Sequence, residues 1–112
     1  MGKHTINSLL ASLLKLVELC DIHYVELDKD IDAYTEWPPV NRIQIYIDPS
    51  RIGVIQGVIH ELLHVTLNKE LSPLGTQLEE LAVKKYTEKL WLTMRNKDVP
   101  VWREAINRKV VV

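Results

Sequence analysis

The chain has 112 residues, which is enough for one domain around a single hydrophobic core but leaves no room for a second lobe. Its 14 basic and 15 acidic residues are well mixed and give a formal net charge of −1, so we expect no nucleic acid partner. A membrane span needs about 18 or more uninterrupted apolar residues, which this sequence does not contain, so we expect no membrane partner either.

The first half of the chain predicts one helix and two strands. Apolar residues at three- and four-residue spacing predict an amphipathic helix over residues 5–20, and IHYVEL at residues 22–27 predicts a short strand. The acidic segment over residues 28–41 contains two adjacent prolines, which predicts a loop. Strict alternation in NRIQIYID makes residues 42–48 the clearest strand of the sequence.

The second half predicts helices. An Asp-Pro-Ser sequence at residues 48–50 is typical of a helix start, and the second helix is predicted over residues 50–68. Residues 69–77 contain proline and glycine and predict a connecting loop, followed by a third helix over residues 77–92 and a short helix after Pro100. This order of elements predicts a small single α+β domain with a short antiparallel or mixed sheet.

The single cysteine, Cys20, excludes an internal disulfide and a zinc site made of four cysteines. One cysteine in a chain of this size fits a reducing compartment, so we expect a cytoplasmic protein. We expect Cys20 itself to be a small buried residue near a helix end.

The second predicted helix contains the sequence HELLH at residues 60–64. Positions i and i+4 lie on one face of a helix, about 6 Å apart along its axis, so His60 and His64 can bind a single metal ion. Catalytic zinc needs three protein ligands and an open position for water. Glu61 can reach that water as a general base, so the sequence predicts a zinc site that still lacks one ligand.

Two glycines accompany the histidines on a narrow polar stripe of this helix. At about 100° per residue, Gly53 and Gly57 fall beside His60 and His64, while apolar residues cover most of the remaining surface. The missing side chains could let a substrate chain approach the metal, or they could serve close helix packing. The sequence does not separate these two interpretations.

The candidates for the third ligand are Glu79 and Glu80 on the third predicted helix. On a wheel with Leu78 at zero, Glu79 falls near roughly 100° on the apolar face and Glu80 near roughly 200°, facing solvent. A buried carboxylate is costly unless it is paired or bound to metal, so we predict that Glu79 is the third ligand. The alternative is an ion pair between Glu79 and Lys84 or Lys85.

HELLH with a glutamate on the next helix resembles the zincin metallopeptidases that use two histidines and one glutamate. The layout over residues 5–92 is similar to small metallopeptidase-like proteins of phages and prophages, and more loosely to the ImmA/IrrE family. The resemblance implies a zinc-dependent metallopeptidase that acts on a peptide or protein substrate. Its implied zinc ligands are His60, His64 and Glu79. Its implied general base is Glu61.

The resemblance also assigns a role in substrate binding to the strand at residues 42–48, as an edge strand along which an extended peptide lies. Tyr24, Tyr46 and Tyr86 are candidates for stabilising a developing oxyanion, and nothing in the sequence selects among them. Trp37, next to two prolines, is either a packing residue or part of the rim of a substrate cleft.

Two other interpretations stay open at the level of sequence. A short chain forms a shallow, open site, so the domain could instead be a zinc-stabilised interaction module without catalytic activity, bound to another phage or host protein. The pattern HExxH also occurs by chance, so the two histidines could belong to a metal-free helical core. The sequence does not address the oligomeric state.

Overall fold

The structure, a computed structural model, describes residues 3–36 and 42–111, so Trp37 and the role considered for it lie outside the described residues. The described residues form an α+β fold, as predicted. Its helices and strands follow in the order α1 (Lys3–Val17), β1 (Cys20–Tyr24), β2 (Ala33–Glu36), β3 (Ile43–Ile47), α2 (Val54–Thr66), α3 (Asn68–Leu71), a 3₁₀-helix (Ser72–Leu74), α4 (Thr76–Thr93) and α5 (Asp98–Asn107).

Most predicted elements are present, with shifted ends. β1 begins at Cys20 rather than at residue 22, and α2 begins at Val54 rather than at residue 50. Most of the predicted loop over residues 69–77 is helical. α3 ends at Leu71, which packs against the core, and the 3₁₀-helix follows directly. The segment is helical in spite of its proline because a proline in the first turn of a helix costs no hydrogen bond.

The three strands form one mixed sheet in the order β1-β3-β2. β1 is parallel to β3, with Ile22 opposite Ile45, and β2 is antiparallel to β3, with Thr35 opposite Ile45. β3 therefore has a partner on both sides. The prediction that residues 42–48 form an edge strand is wrong, because a strand with two partners leaves no row of backbone groups for a peptide to pair with. The edge strand beside β3 is β2.

β2 lies inside the segment 28–41, which the sequence predicted as a loop. Its exposure alternates, with Ala33 and Thr35 more buried than Tyr34 and Glu36. An alternation over only four residues is a weak signal, and acidic residues and prolines on either side favour a loop. The strand forms because pairing with β3 satisfies its backbone groups, and this pairing depends on tertiary structure.

The core lies between the sheet and the helices. Ile22, Ile45 and Ile47 have no exposed surface, and the alternation along β3 places Ile45 and Ile47 on the same face of the sheet. α2 contributes a continuous apolar surface to this core, which fixes how the helix is rotated. The buried hydrophobic residues of the helices are Leu10, Leu13, Val17, Ile55, Val58, Ile59, Leu62, Leu63, Val83, Leu90, Trp102, Ala105 and Ile106.

The last described residues pack on the same core. Trp102 and Ile106 of α5 are buried, and the backbone N–H of Ile22 donates to the carbonyl of Lys109 at 2.9 Å. Val110 forms a parallel bridge with Ile22 on the side of β1 that faces away from β3. Cys20 is buried, as expected, and desolvation raises the pKa of its thiol to about 12.

A buried carboxylate organises the turn between β3 and α2. Asp48 is 3 % exposed and accepts hydrogen bonds from the Ser50 hydroxyl at 2.6 Å, the Ser50 N–H at 3.1 Å and the Leu27 N–H at 3.1 Å. The Asp-Pro-Ser sequence therefore forms a turn before the helix rather than its cap. These hydrogen bonds, that of the Ser50 hydroxyl first, hold the pKa of the Asp48 carboxyl below its ordinary value.

We expect Asp48 to contribute to acid unfolding. Because its pKa is lower in the folded state, its stabilising effect is full above the ordinary value of 3.8 and is lost as the pH falls through the folded value. The unfolding free energy of wild type should therefore decrease more steeply below about pH 4 than that of Asp48→Asn. Denaturant titrations over a pH series measure both slopes, and equal slopes would contradict this role.

Candidate metal centre

The two histidines of HELLH lie side by side on α2. Their ring centroids are 5.0 Å apart, and the rings are inclined at 63°. Both side chains are mostly buried, with 15 % of His60 and 21 % of His64 exposed. The fully buried Ile59 and Leu63 fix the rotation of α2, so the helix presents both imidazoles on one face, as the spacing predicted.

The carboxylate of Glu80 on α4 bridges the two rings. Its Oε1 is 2.7 Å from Nε2 of His60, and its Oε2 is 3.0 Å from Nε2 of His64. One ligand atom from each of the three residues lies within 4.8 Å of the others. Within residues 3–36 and 42–111, His60, His64 and Glu80 thus form a candidate metal-binding site.

Glu79 contacts His64 on the side of its ring opposite to Glu80. Its Oε2 is 2.8 Å from Nδ1 of His64, the ring nitrogen that faces away from Glu80. The described partner of Glu79 is therefore a histidine, and not Lys84 or Lys85. The structure departs here from the predicted ligand set, because it groups Glu80 with His60 and His64 and places Glu79 behind His64.

The physical reason is that burial does not decide which carboxylate faces both histidines, since Glu79 is 20 % and Glu80 56 % exposed, in the order that the wheel predicts. Leu78, which the wheel counts as part of the apolar face, is itself 56 % exposed. The buried residues of α4 are Val83, Thr87 and Leu90. On a wheel centred on these three, Glu79 and Glu80 fall roughly 50° to either side of the buried stripe. Both glutamates therefore reach the face of α4 that packs against α2.

Glu61 lies next to the cluster and is buried, with 6 % of its surface exposed. Its Oε1 accepts a hydrogen bond of 2.7 Å from the Thr35 hydroxyl on β2. Burial raises the pKa of the Glu61 carboxyl, while the Thr35 hydrogen bond and the charges of His60 and His64 act in the opposite direction. Sequence reasoning missed Thr35, because β2 was predicted as a loop.

The cluster opens into a cavity of about 710 Å³. The two histidines, Glu61 and Glu80 line it together with Thr87 and Trp91 of α4 and with residues 30–34, at the start of β2 and in the loop before it. Arg51, in the turn before α2, binds this loop, since its guanidinium donates hydrogen bonds to the carbonyls of Asp28 and Lys29. The wall of the cavity is therefore attached to the same turn that precedes α2.

Gly57 of α2 and Gly53, the residue before α2, serve packing. The face of Gly57 that lacks a side chain lies against Ile52 and Ile47, where an added Cβ would be 3.4 and 3.5 Å from the nearest methyl groups. At Gly53 an added Cβ would lie 2.2 Å from Oε1 of Gln56, so this glycine makes room for the Gln56 side chain. These contacts favour the packing interpretation over an approach of substrate to the metal.

The tyrosines considered for the oxyanion lie elsewhere. Tyr46 is stacked between His23 and Tyr34, at centroid distances of 4.5 and 4.6 Å. Tyr86 packs against the core, and Tyr24 lines a different cavity. Among the described residues that line the metal cavity, the tyrosine is Tyr34, which the sequence analysis did not consider because β2 was missed.

Comparisons with known proteins leave the function to be argued from this geometry. No family model, no curated protein and no solved structure matches the chain. Of the helices in the described part of the chain, none is both long and apolar enough to cross a membrane. The observations that bear on function are therefore the grouping of His60, His64 and Glu80, the buried Glu61 and the cavity that they share.

Proposed function

We propose that this chain is a zinc-dependent metallopeptidase with His60, His64 and Glu80 as its zinc ligands. The observation that supports this most is the position of Glu80, whose carboxylate lies within 3.0 Å of Nε2 of both histidines. Two imidazole nitrogens and one carboxylate are a common donor set of catalytic zinc, and three protein ligands leave one position open.

The dimensions of the cluster are close to those of a zinc site. Zinc–ligand distances of about 2.0–2.2 Å place the donor atoms of a tetrahedral site within roughly 4 Å of one another. The candidate ligand atoms lie within 4.8 Å of one another. A hydrogen bond from Nδ1 of His64 to Glu79, at 2.8 Å, fixes the tautomer that leaves the Nε2 lone pair free for metal. Glu79 is thus a positioning residue for His64.

Zinc, when bound, supplies Lewis-acid chemistry that polarises the scissile carbonyl and makes water acidic. The chain itself supplies the proton transfers. The Thr35 hydroxyl holds Oε1 of Glu61 at 2.7 Å, so the other carboxylate oxygen can take a proton from the attacking water. Glu61 then delivers this proton to the nitrogen of the leaving amine as the peptide bond breaks.

An extended peptide fits beside β2. Among the described strands, β2 pairs only with β3, so its outer edge presents unpaired backbone groups. Ala33 and Tyr34 of this strand line the metal cavity. A peptide that adds to this edge would pass the cluster, and its backbone would supply affinity with little dependence on sequence.

The experiment that tests this function is digestion of a broad synthetic peptide library by zinc-loaded protein, with new termini identified by mass spectrometry. We expect cleavage that stops when a chelator removes the zinc and returns when zinc is added back. Zinc binding without cleavage of any peptide would favour the zinc-stabilised interaction module. Cleavage that persists after complete removal of metal would contradict the proposal.

A further inference from the structure

A second cavity adjoins the metal cavity. It has a volume of about 420 Å³ and lies between the start of α2 and α5. Gln56 and Trp91 line both cavities, so the two are neighbours, and we call the pair of adjoining cavities the groove. A peptide that occupies the metal cavity can therefore extend a side chain into the second one.

The two cavities differ in charge. Acidic side chains dominate the lining of the metal cavity, where Asp30, Asp32 and Glu88 accompany the site glutamates and the one lysine is Lys84. Among the described residues, those that line the second cavity include one charged side chain, that of Arg103 on α5, and no carboxylate. The groove is thus acidic at one end and basic at the other.

Arg103 is available to a ligand. Its side chain is exposed, and the structure records no hydrogen bond or ion pair between it and another described residue. Asn107, one turn further along α5, lines the cavity beside it. A guanidinium offers several N–H donors in a planar fork that matches a carboxylate, so this end of the groove favours a carboxylate ligand.

The rest of the second cavity is suited to the stem of a side chain. Trp91, Tyr24 and Ile106 line the same cavity as Arg103 and give it apolar walls. Gln56 lines both cavities, and its position depends on Gly53, since a Cβ at residue 53 would overlap its amide. A methylene stem that ends in a carboxylate matches a cavity with apolar walls and one guanidinium.

We propose that the second cavity is a specificity subsite that binds an acidic side chain of the peptide substrate through Arg103. This inference rests on the proposed function, because it assumes that a peptide occupies the metal cavity. It assigns the substrate a class, namely an extended peptide with a glutamate or aspartate at a fixed distance from the scissile bond.

The test measures binding rather than turnover. Each pool of fluorescein-labelled short peptides carries either Glu or Lys at one position of an otherwise neutral sequence, and this position is moved along the peptide from pool to pool. Binding of each pool to zinc-loaded Glu61→Gln protein is measured by fluorescence anisotropy. We expect the Glu pools to bind about fivefold more tightly than the Lys pools at the position that reaches Arg103, as one partly exposed ion pair allows. In Arg103→Glu the preference should reverse.

Two variants control for trivial effects. Arg103→Gln removes the charge, keeps a polar side chain, and should abolish the preference without reversing it. Lys85→Glu makes the same change of charge on an exposed residue that lines neither cavity, and it should keep the preference of wild type.

Equal binding of the Glu and Lys pools, or an unchanged preference in Arg103→Glu, would overturn the subsite. A preserved preference in a protein that cleaves nothing would contradict the peptidase and still support the subsite.

Discussion

Replacing Glu61 with glutamine is expected to abolish peptide cleavage while leaving the zinc content of the protein unchanged. Glu61 belongs to the metal cavity but not to the group of candidate ligands, so its substitution removes the proton acceptor and not the metal site. General acid–base catalysis by one side chain contributes about 100- to 10,000-fold to a rate. We expect a loss of that size in kcat/KM for any peptide that the wild type cleaves.

This variant should fold as the wild type does. The amide oxygen of glutamine can still accept the hydrogen bond from Thr35, and a neutral group avoids the cost of burying a charge. Thermal unfolding and zinc analysis of the variant check both points. Glu70→Gln, at an exposed position on α3, is the matched control and should keep full activity. Cleavage at the wild-type rate by Glu61→Gln would show that the assigned mechanism is wrong.

The second large effect separates the two neighbouring glutamates. Glu80→Gln should weaken zinc affinity more than Glu79→Gln does, because the Glu80 carboxylate faces Nε2 of both histidines, whereas Glu79 faces only Nδ1 of His64. Loss of a residue that orients a ligand reduces metal affinity about 10- to 100-fold. We expect Glu79→Gln to fall in that range and Glu80→Gln to exceed it.

Competition titrations with a chromogenic zinc chelator measure both affinities. Glu88→Gln is the control, since it lies on α4 and lines the same cavity without belonging to the ligand group. Its zinc affinity should equal that of wild type within about twofold, because Glu88 supplies no ligand atom and an exposed charge contributes little to its neighbours. A greater loss in Glu79→Gln than in Glu80→Gln would support the ligand set inferred from sequence and contradict the one proposed from structure.

The α+β class could be predicted from sequence because long periodic segments determine it. The alternation in β3 and the apolar spacing in α1, α2 and α4 are strong local signals, and each of these elements is present. β2 could not be predicted, because four residues between acidic and proline-rich segments form a strand only when β3 pairs with them. Missing β2 also concealed Thr35 and placed the edge of the sheet on the wrong strand.

The histidine pair of the candidate site could be predicted, since i and i+4 on one helix fix their proximity without knowledge of the tertiary fold. The choice between Glu79 and Glu80 depends on which face of α4 packs against α2. The wheel predicted the exposure of the two glutamates, since Glu79 is 20 % and Glu80 56 % exposed, but exposure does not show which carboxylate faces Nε2 of both histidines. The second cavity involves α2, α4 and α5 together, so no local pattern indicates it.

If His60, His64 and Glu80 bind zinc, elemental analysis of protein purified without chelator will detect the ion. Wild type and His64→Ala are compared, with circular dichroism to confirm that both are folded. We expect one zinc ion per chain in the wild type and little in the variant. No zinc in folded wild type, or equal zinc in the two proteins, would contradict the proposed zinc site and leave HELLH as part of a helical core.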